Sequence, residues 1–159
     1  MFSSTRLGST LRTVMPAFVL GTCALVMQDA PAAQPASAKR TVWDGVYTEA
    51  QARRGEAVYK LSCASCHGVA LEGIEMAGPL TGARFTANWN GVTVGDLLER
   101  VKVSMPNDRP GTLSRQQTAD VLAYVFNVNR FPAGKAELAR QTEVLKQIKF
   151  EATRPAAGH

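Results

Sequence analysis

The stretch KLSCASCHG, Lys60 to Gly68, constrains this chain more than any other. Cys63 and Cys66 stand three positions apart, and His67 follows directly. Such side chains can hold zinc, cycle through a disulfide or anchor a haem, and each chemistry demands a different fold around it. A structural zinc site needs four ligands, as a rule with a second Cys/His pair at a distance. The other histidine is His159, the last residue, and Cys66 with an adjacent His67 is awkward for one tetrahedral centre. A thioredoxin-type pair follows a strand inside a βαβ unit, whereas the residues before Cys63 carry a helical pattern and the chain shows no strand-like alternation. A plain two-residue disulfide loop leaves His67 without a role.

C-x-x-C-H is the attachment signature of c-type haem. Two thiols add to the porphyrin vinyl groups and the neighbouring imidazole meets the iron. Cys63 and Cys66 are therefore read as tethers and His67 as the proximal metal ligand of a single haem c. On the opposite side a methionine sulfur is the electron-transfer choice. Met76 and Met105 follow the motif, nine and 38 residues beyond His67. Met76 offers a short return path, while Met105 lies in VSMPNDRPG, a polar Pro/Gly-rich stretch that is a poor place for core filler. The residues alone leave both open.

Covalent haem of this kind suits an exported protein. Arg6 and Arg12 precede the apolar run VMPAFVLGTCALVM, Val14 to Met27. That run is the size of a signal core and short of the roughly 20 residues a spanning helix needs. A-x-A patterns at Ala30-Pro31-Ala32 and Ala36-Ser37-Ala38 offer cleavage sites. Residues 1–38 are read as a signal peptide and cleavage region, which places the mature protein in the periplasm. The alternative is an uncleaved segment anchored on the periplasmic face of the inner membrane. Cleavage removes Cys23 and leaves Cys63 and Cys66 as the remaining cysteines.

After Ala38 there are 16 Lys and Arg against 12 Asp and Glu, a net charge of +4. The charges are scattered, with no block of five of one sign and no aromatic-interleaved basic stripe, so no nucleic-acid partner is expected. Mild steering toward an acidic protein partner is compatible with this balance.

Three helix starts are marked by a hydroxyl residue at capping-box spacing. Thr48 precedes Gln51 and opens a helix to about Ser62, with Ala50, Arg54, Val58 and Leu61 on one face and Ala57 beside them. Thr93 precedes Asp96, and Val94, Leu97, Leu98 and Val101 follow at helical spacing. Ser114 precedes Gln117, and Val121, Leu122, Val125 and Val128 repeat the pattern. A fourth helix is expected around Lys135 to Lys149, with Leu138, Leu145 and Ile148 as its apolar stripe. Between the first two helices Gly68 to Val92 reads as a glycine-rich loop. So long a loop counts against a compact domain, unless the loops wrap a large apolar cofactor.

The order helix, C-x-x-C-H, Gly-Pro turn, helix, Met-Pro loop, helix resembles class I c-type cytochromes over roughly Thr48 to Asn129. The resemblance implies an all-α class I cytochrome c fold: helices and long loops around one covalent haem, with an extra C-terminal helix. It divides the chain into a lead-in at 39–47, a cytochrome domain at 48–130 and a C-terminal extension at 131–159. Gly55 and Tyr59 look like the family's small/aromatic pair on the first helix, crossing the last helix of the domain near Tyr124. The segment Ala77 to Leu80, AGPL, resembles the turn whose proline carbonyl accepts the histidine Nδ1–H, which gives that task to Pro79. Trp89 is similar to a tryptophan that packs near a haem propionate. Counted with the family's Met-Pro loop, Met105 is the implied axial ligand.

The resemblance implies a periplasmic electron carrier rather than an enzyme, its haem cycling between Fe(III) and Fe(II). Its partners would be redox proteins, a dehydrogenase or a terminal oxidase. The stretch from Met105 to Val125 and the tail from Asn129 to Phe150 look like small periplasmic single-haem cytochromes, some of which accompany quinoprotein dehydrogenases bearing pyrroloquinoline quinone. The competing reading is a haem ligand-binder, sensor or redox-enzyme subunit with an open sixth position. The C-terminal extension is read as a brace on the domain, with a docking element as its alternative.

Overall fold

Gly55 sits in the middle of the first helix, where glycine costs about 1 kcal/mol against alanine, and the helix packing accounts for it. The computed structural model describes residues 40–156; the readings on residues 1–38, on Cys23 and on His159 lie outside them. The elements run β1 (Arg40–Thr41), α1 (Glu49–Ser62), α2 (Ala64–His67), α3 (Gly82–Trp89), α4 (Val94–Ser104), α5 (Arg115–Val128), α6 (Thr142–Leu145) and β2 (Ile148–Lys149). The architecture is all-α apart from one parallel pair, in which Arg40 faces Ile148 and Thr41 faces Lys149. Among the described residues no helix is long and apolar enough to cross a membrane.

The three capped helices start where their caps stand. Thr48 Oγ1 accepts from the Gln51 amide, Thr93 Oγ1 from the Asp96 amide, and Ser114 Oγ from the Gln117 amide, while Gln117 Oε1 takes the Ser114 N–H in return. Each bond satisfies a donor that the first turn cannot satisfy internally.

α1 crosses α5 at Gly55. A Cβ there would stand 1.8 Å from the Asp120 carbonyl oxygen and 3.0 Å from the Tyr124 Cβ. One turn on, the Tyr59 and Tyr124 rings meet at a tilt of 54° with centroids 5.4 Å apart. The buried residues of α1 are Gln51, Ala52, Gly55 and Tyr59, which corrects the face expected from Ala50, Arg54, Val58 and Leu61. Leu61 is 85 % exposed. Arg54 lies at the surface and reaches Asp120 at 3.2 Å and Glu137 at 2.8 Å. Close backbone approach and satisfied polar groups, not a stripe of aliphatics, choose this helix's inward side.

The extension is a strap rather than a helix. Only Thr142–Leu145 forms a helical turn, which corrects the expected helix over Lys135–Lys149. Leu138 shows why: its N–H goes to Gln51 Oε1 at 2.6 Å and its carbonyl accepts from Gln51 Nε2 at 3.0 Å, so neither group is free for a helical bond. Farther on, Ile148–Lys149 pairs with Arg40–Thr41, and Phe150 exchanges backbone bonds with Gly91 and Val92. The apolar stripe is nonetheless buried: Leu138, Leu145 and Ile148 are all in the core. The brace reading describes what this segment does.

The segment read as a lead-in is packed as well. Val42, Val46 and Tyr47 are buried, and Tyr47 Oη donates to the Phe131 carbonyl at 2.6 Å. Phe126, Phe131 and Phe150 form a mutual aromatic cluster with centroids 5.3–5.9 Å apart, joined by Trp43, Tyr47 and Phe85. Each such pair contributes about 0.5–1.5 kcal/mol beyond its area burial. On the far side, Arg115 donates to Glu99 at 2.7 Å and to the Thr142 hydroxyl at 2.8 Å, and that hydroxyl donates to Glu99, fastening α4, α5 and α6 together.

Candidate functional site: the Cys63–His67 turn

The motif occupies the end of α1 and the single turn α2. The Cys63 amide donates to the Tyr59 carbonyl at 2.8 Å, and the Cys63 carbonyl accepts from Cys66 at 3.1 Å and His67 at 2.9 Å. Two thiols three positions apart and an imidazole four apart thereby share one side of one helical turn. Gly68 stops the turn with φ at +82°, a left-handed backbone that favours glycine. Its carbonyl accepts from Tyr59 Oη at 2.6 Å, so a residue of α1 holds the exit of the motif. Burial raises the Tyr59 pKa.

All three chemical side chains are half-buried. Burial, and then the neighbouring Cys66, push the free Cys63 thiol up to about 11. Neither cysteine is in a disulfide.

After the motif the chain doubles back. The Gly73 amide donates to the His67 carbonyl at 2.8 Å, and Ile74 and Ala77 exchange backbone bonds at 2.9 and 3.1 Å. That turn delivers the Gly78 carbonyl to His67 Nδ1 at 2.9 Å. The acceptor is thus Gly78 and not Pro79, a correction by one residue. Pro79 has no N–H and a fixed φ, and it stands as a stiff link between Gly78 and Leu80. Beyond it the Leu80 amide donates to the Leu71 carbonyl at 2.9 Å, and Asn129, at the end of α5, bonds to Leu80 and Gly82.

Met105 is the C-cap of α4, its amide donating to the Val101 carbonyl, and it is half-buried. Met76 is 75 % exposed in the Ile74–Ala77 turn. Trp89 closes α3 and packs partly buried against the core, as do Leu80 and Val101. α3 itself lies inside the stretch expected to be a loop, a further correction; the signal present was Phe85 and Trp89 at i, i+4. Gly78 and Asn129 were missed because a backbone acceptor and a capping amide leave no pattern in sequence.

Among the described residues no three His, Cys, Asp or Glu side chains converge into a metal-only site. The donor set fits a haem instead. Two thiols on one turn match two thioether links, and an imidazole whose Nδ1 is taken by a carbonyl keeps Nε2 for iron.

A family model described as cytochrome C oxidase, cbb3-type, subunit III matches residues 50–125. No curated protein and no solved structure matches the chain. The matched span runs from the second residue of α1 through most of α5 and contains the whole motif. From the motif geometry, the all-α architecture consistent with class I and this match, the chain carries a c-type cytochrome domain.

Proposed function

We propose that this protein is an exported single-haem electron carrier in which His67 and Met105 are the axial ligands. The commitment of His67 Nδ1 to the Gly78 carbonyl, on the same turn as two thiols, carries the reading. Bound haem supplies the Fe(III)/Fe(II) couple. Cys63 and Cys66 tether it, and His67 presents Nε2 while the Gly78 carbonyl fixes its tautomer and raises its basicity. The half-burial of Met105 against the exposure of Met76 supports Met105 as the sulfur ligand. Trp89, Leu80 and Val101 offer partly covered apolar surface for the macrocycle.

Glu72, Glu75 and Asp108 are exposed, and their placement gives no paired carboxylates for acid–base work, which favours a carrier over an enzyme. Leu61 and Val69 flank the motif and Met76 sits at the nearby turn, all exposed apolar side chains. They suit approach by a protein redox partner, a dehydrogenase (quinoprotein or other) or a terminal oxidase, in the periplasm.

The test is the absorption spectrum of the reduced holoprotein before and after carbon monoxide. An unchanged spectrum is expected, since both axial positions are filled. A prompt shift overturns the assignment in favour of an open-site sensor or redox-enzyme subunit.

A further inference from the structure

We propose that Asn129 is a positioning residue for His67, setting the strength of the imidazole's hydrogen bond and through it the reduction potential. The inference rests on the reading of His67 as an axial ligand.

Asn129 caps the C-terminus of α5. Its Nδ2 donates to the Leu80 carbonyl at 2.9 Å and to the Val125 carbonyl at 2.8 Å, and its Oδ1 accepts from the Gly82 amide at 3.1 Å. One amide therefore pairs with the backbone on both sides of Thr81 while anchored to its own helix. The three partners fix its orientation, because the flipped amide would set oxygen against two carbonyls. No other short side chain both donates and accepts in this way: serine has one hydroxyl for two tasks, and aspartate lacks the donor.

The clamped segment is the one that serves His67. From Leu80 the chain reaches the Gly78 carbonyl through Pro79 alone, whose locked φ transmits position with little play. Leu80 is held from both sides, its amide on the Leu71 carbonyl and its carbonyl on Asn129. Without Asn129 the Leu80 carbonyl and the Gly82 amide lose their partners, and the stretch after Pro79 is held only by the Leu80 amide on the Leu71 carbonyl, leaving the Ile74–Ala77 turn to place the Gly78 carbonyl from the other side. A looser Nδ1–H···O bond makes the imidazole a weaker donor to iron. The ferric state, which gains most from a basic ligand, is then less favoured, so the potential rises.

The experiment compares spectroelectrochemical titrations of wild-type holoprotein with Asn129→Ala, Asn129→Ser and Gln51→Ala, alongside denaturant unfolding and amide exchange at Gly82. Gln51 makes a comparable clamp, but on Leu138, away from the 78–82 segment. Asn129→Ala is expected to raise the potential and speed Gly82 exchange at least tenfold, with Asn129→Ser between it and wild type. Gln51→Ala is expected to lose stability at unchanged potential. Asn129 variants at the wild-type potential, or an equal shift from Gln51→Ala, overturn the proposal. Should Asn129→Ala fail to retain haem, Asn129→Ser decides by the same criterion. Wild-type protein without covalent haem would sink the electron-carrier reading itself, whereas a loaded wild type with unmoved variants sinks only the role of Asn129.

Discussion

Gly55 on α1 and Asp120 on α5 approach so closely that a Cβ at residue 55 would lie 1.8 Å from the Asp120 carbonyl oxygen. The contacted atom is helix backbone, which cannot swing aside, so the two helices must part for any side chain to fit. Gly55→Ala should therefore destabilise the holoprotein by about 2 kcal/mol, overpacking outweighing alanine's better helix propensity. Urea unfolding followed at the haem band and by circular dichroism reads this directly. Equal or greater stability would mean that the helices slide without cost.

Glu99 gives a pH dependence of defined sign. The hydrogen bond from Thr142, and then that from Arg115, hold its carboxyl below the usual glutamate value. A carboxylate with a lowered folded pKa contributes stability above its unfolded pKa and loses it as pH falls through the folded one. Wild type should thus exceed Glu99→Gln in stability at neutral pH, with the gap closing in acid, below the ordinary glutamate range. Unfolding free energies measured from pH 7 down to pH 3 check it; a gap independent of pH would assign the loss to packing instead. The site is partly exposed, with a Glu99 side-chain exposure of 34 %, so salt should shrink the gap.

Cys63→Ala combined with Cys66→Ala should abolish covalent haem. Acidified-acetone extraction of the denatured double variant is expected to remove all pigment, while the wild type keeps it. Pigment retained by the double variant would exclude thioether attachment at these two positions.

Met105→Ala should yield an iron that binds carbon monoxide promptly when reduced, with a potential below that of the wild type, because the soft thioether favours the ferrous state. Met76→Ala should leave both properties as they are, given its 75 % exposure. The reverse pattern would move the sulfur ligand to the Ile74–Ala77 turn.

Much of the local structure was legible beforehand. Thr48, Thr93 and Ser114 marked three helix starts because a cap joins residues three apart and needs nothing from the rest of the chain. The burial of Leu138, Leu145 and Ile148 was read correctly while their helix was not. Apolar side chains seek the core in any backbone conformation, but the conformation of this segment was taken by long-range partners. α3 went unseen because its Thr81 cap makes no side-chain bond and Phe85 is its one buried residue.

What the sequence determined by itself is the spacing of Cys63, Cys66 and His67 along one turn and the places where α1, α4 and α5 begin. Both depend on neighbours within one helical turn. Only the tertiary structure decided that α1 turns Gly55 and Tyr59 inward, that residue 138 pairs with Gln51, and that Gly78 rather than Pro79 meets His67. Each of these is a choice between nearly equal local options. It is settled by which backbone groups find partners 11 to 87 residues away, and buried polar groups left without partners would cost about 1–3 kcal/mol each.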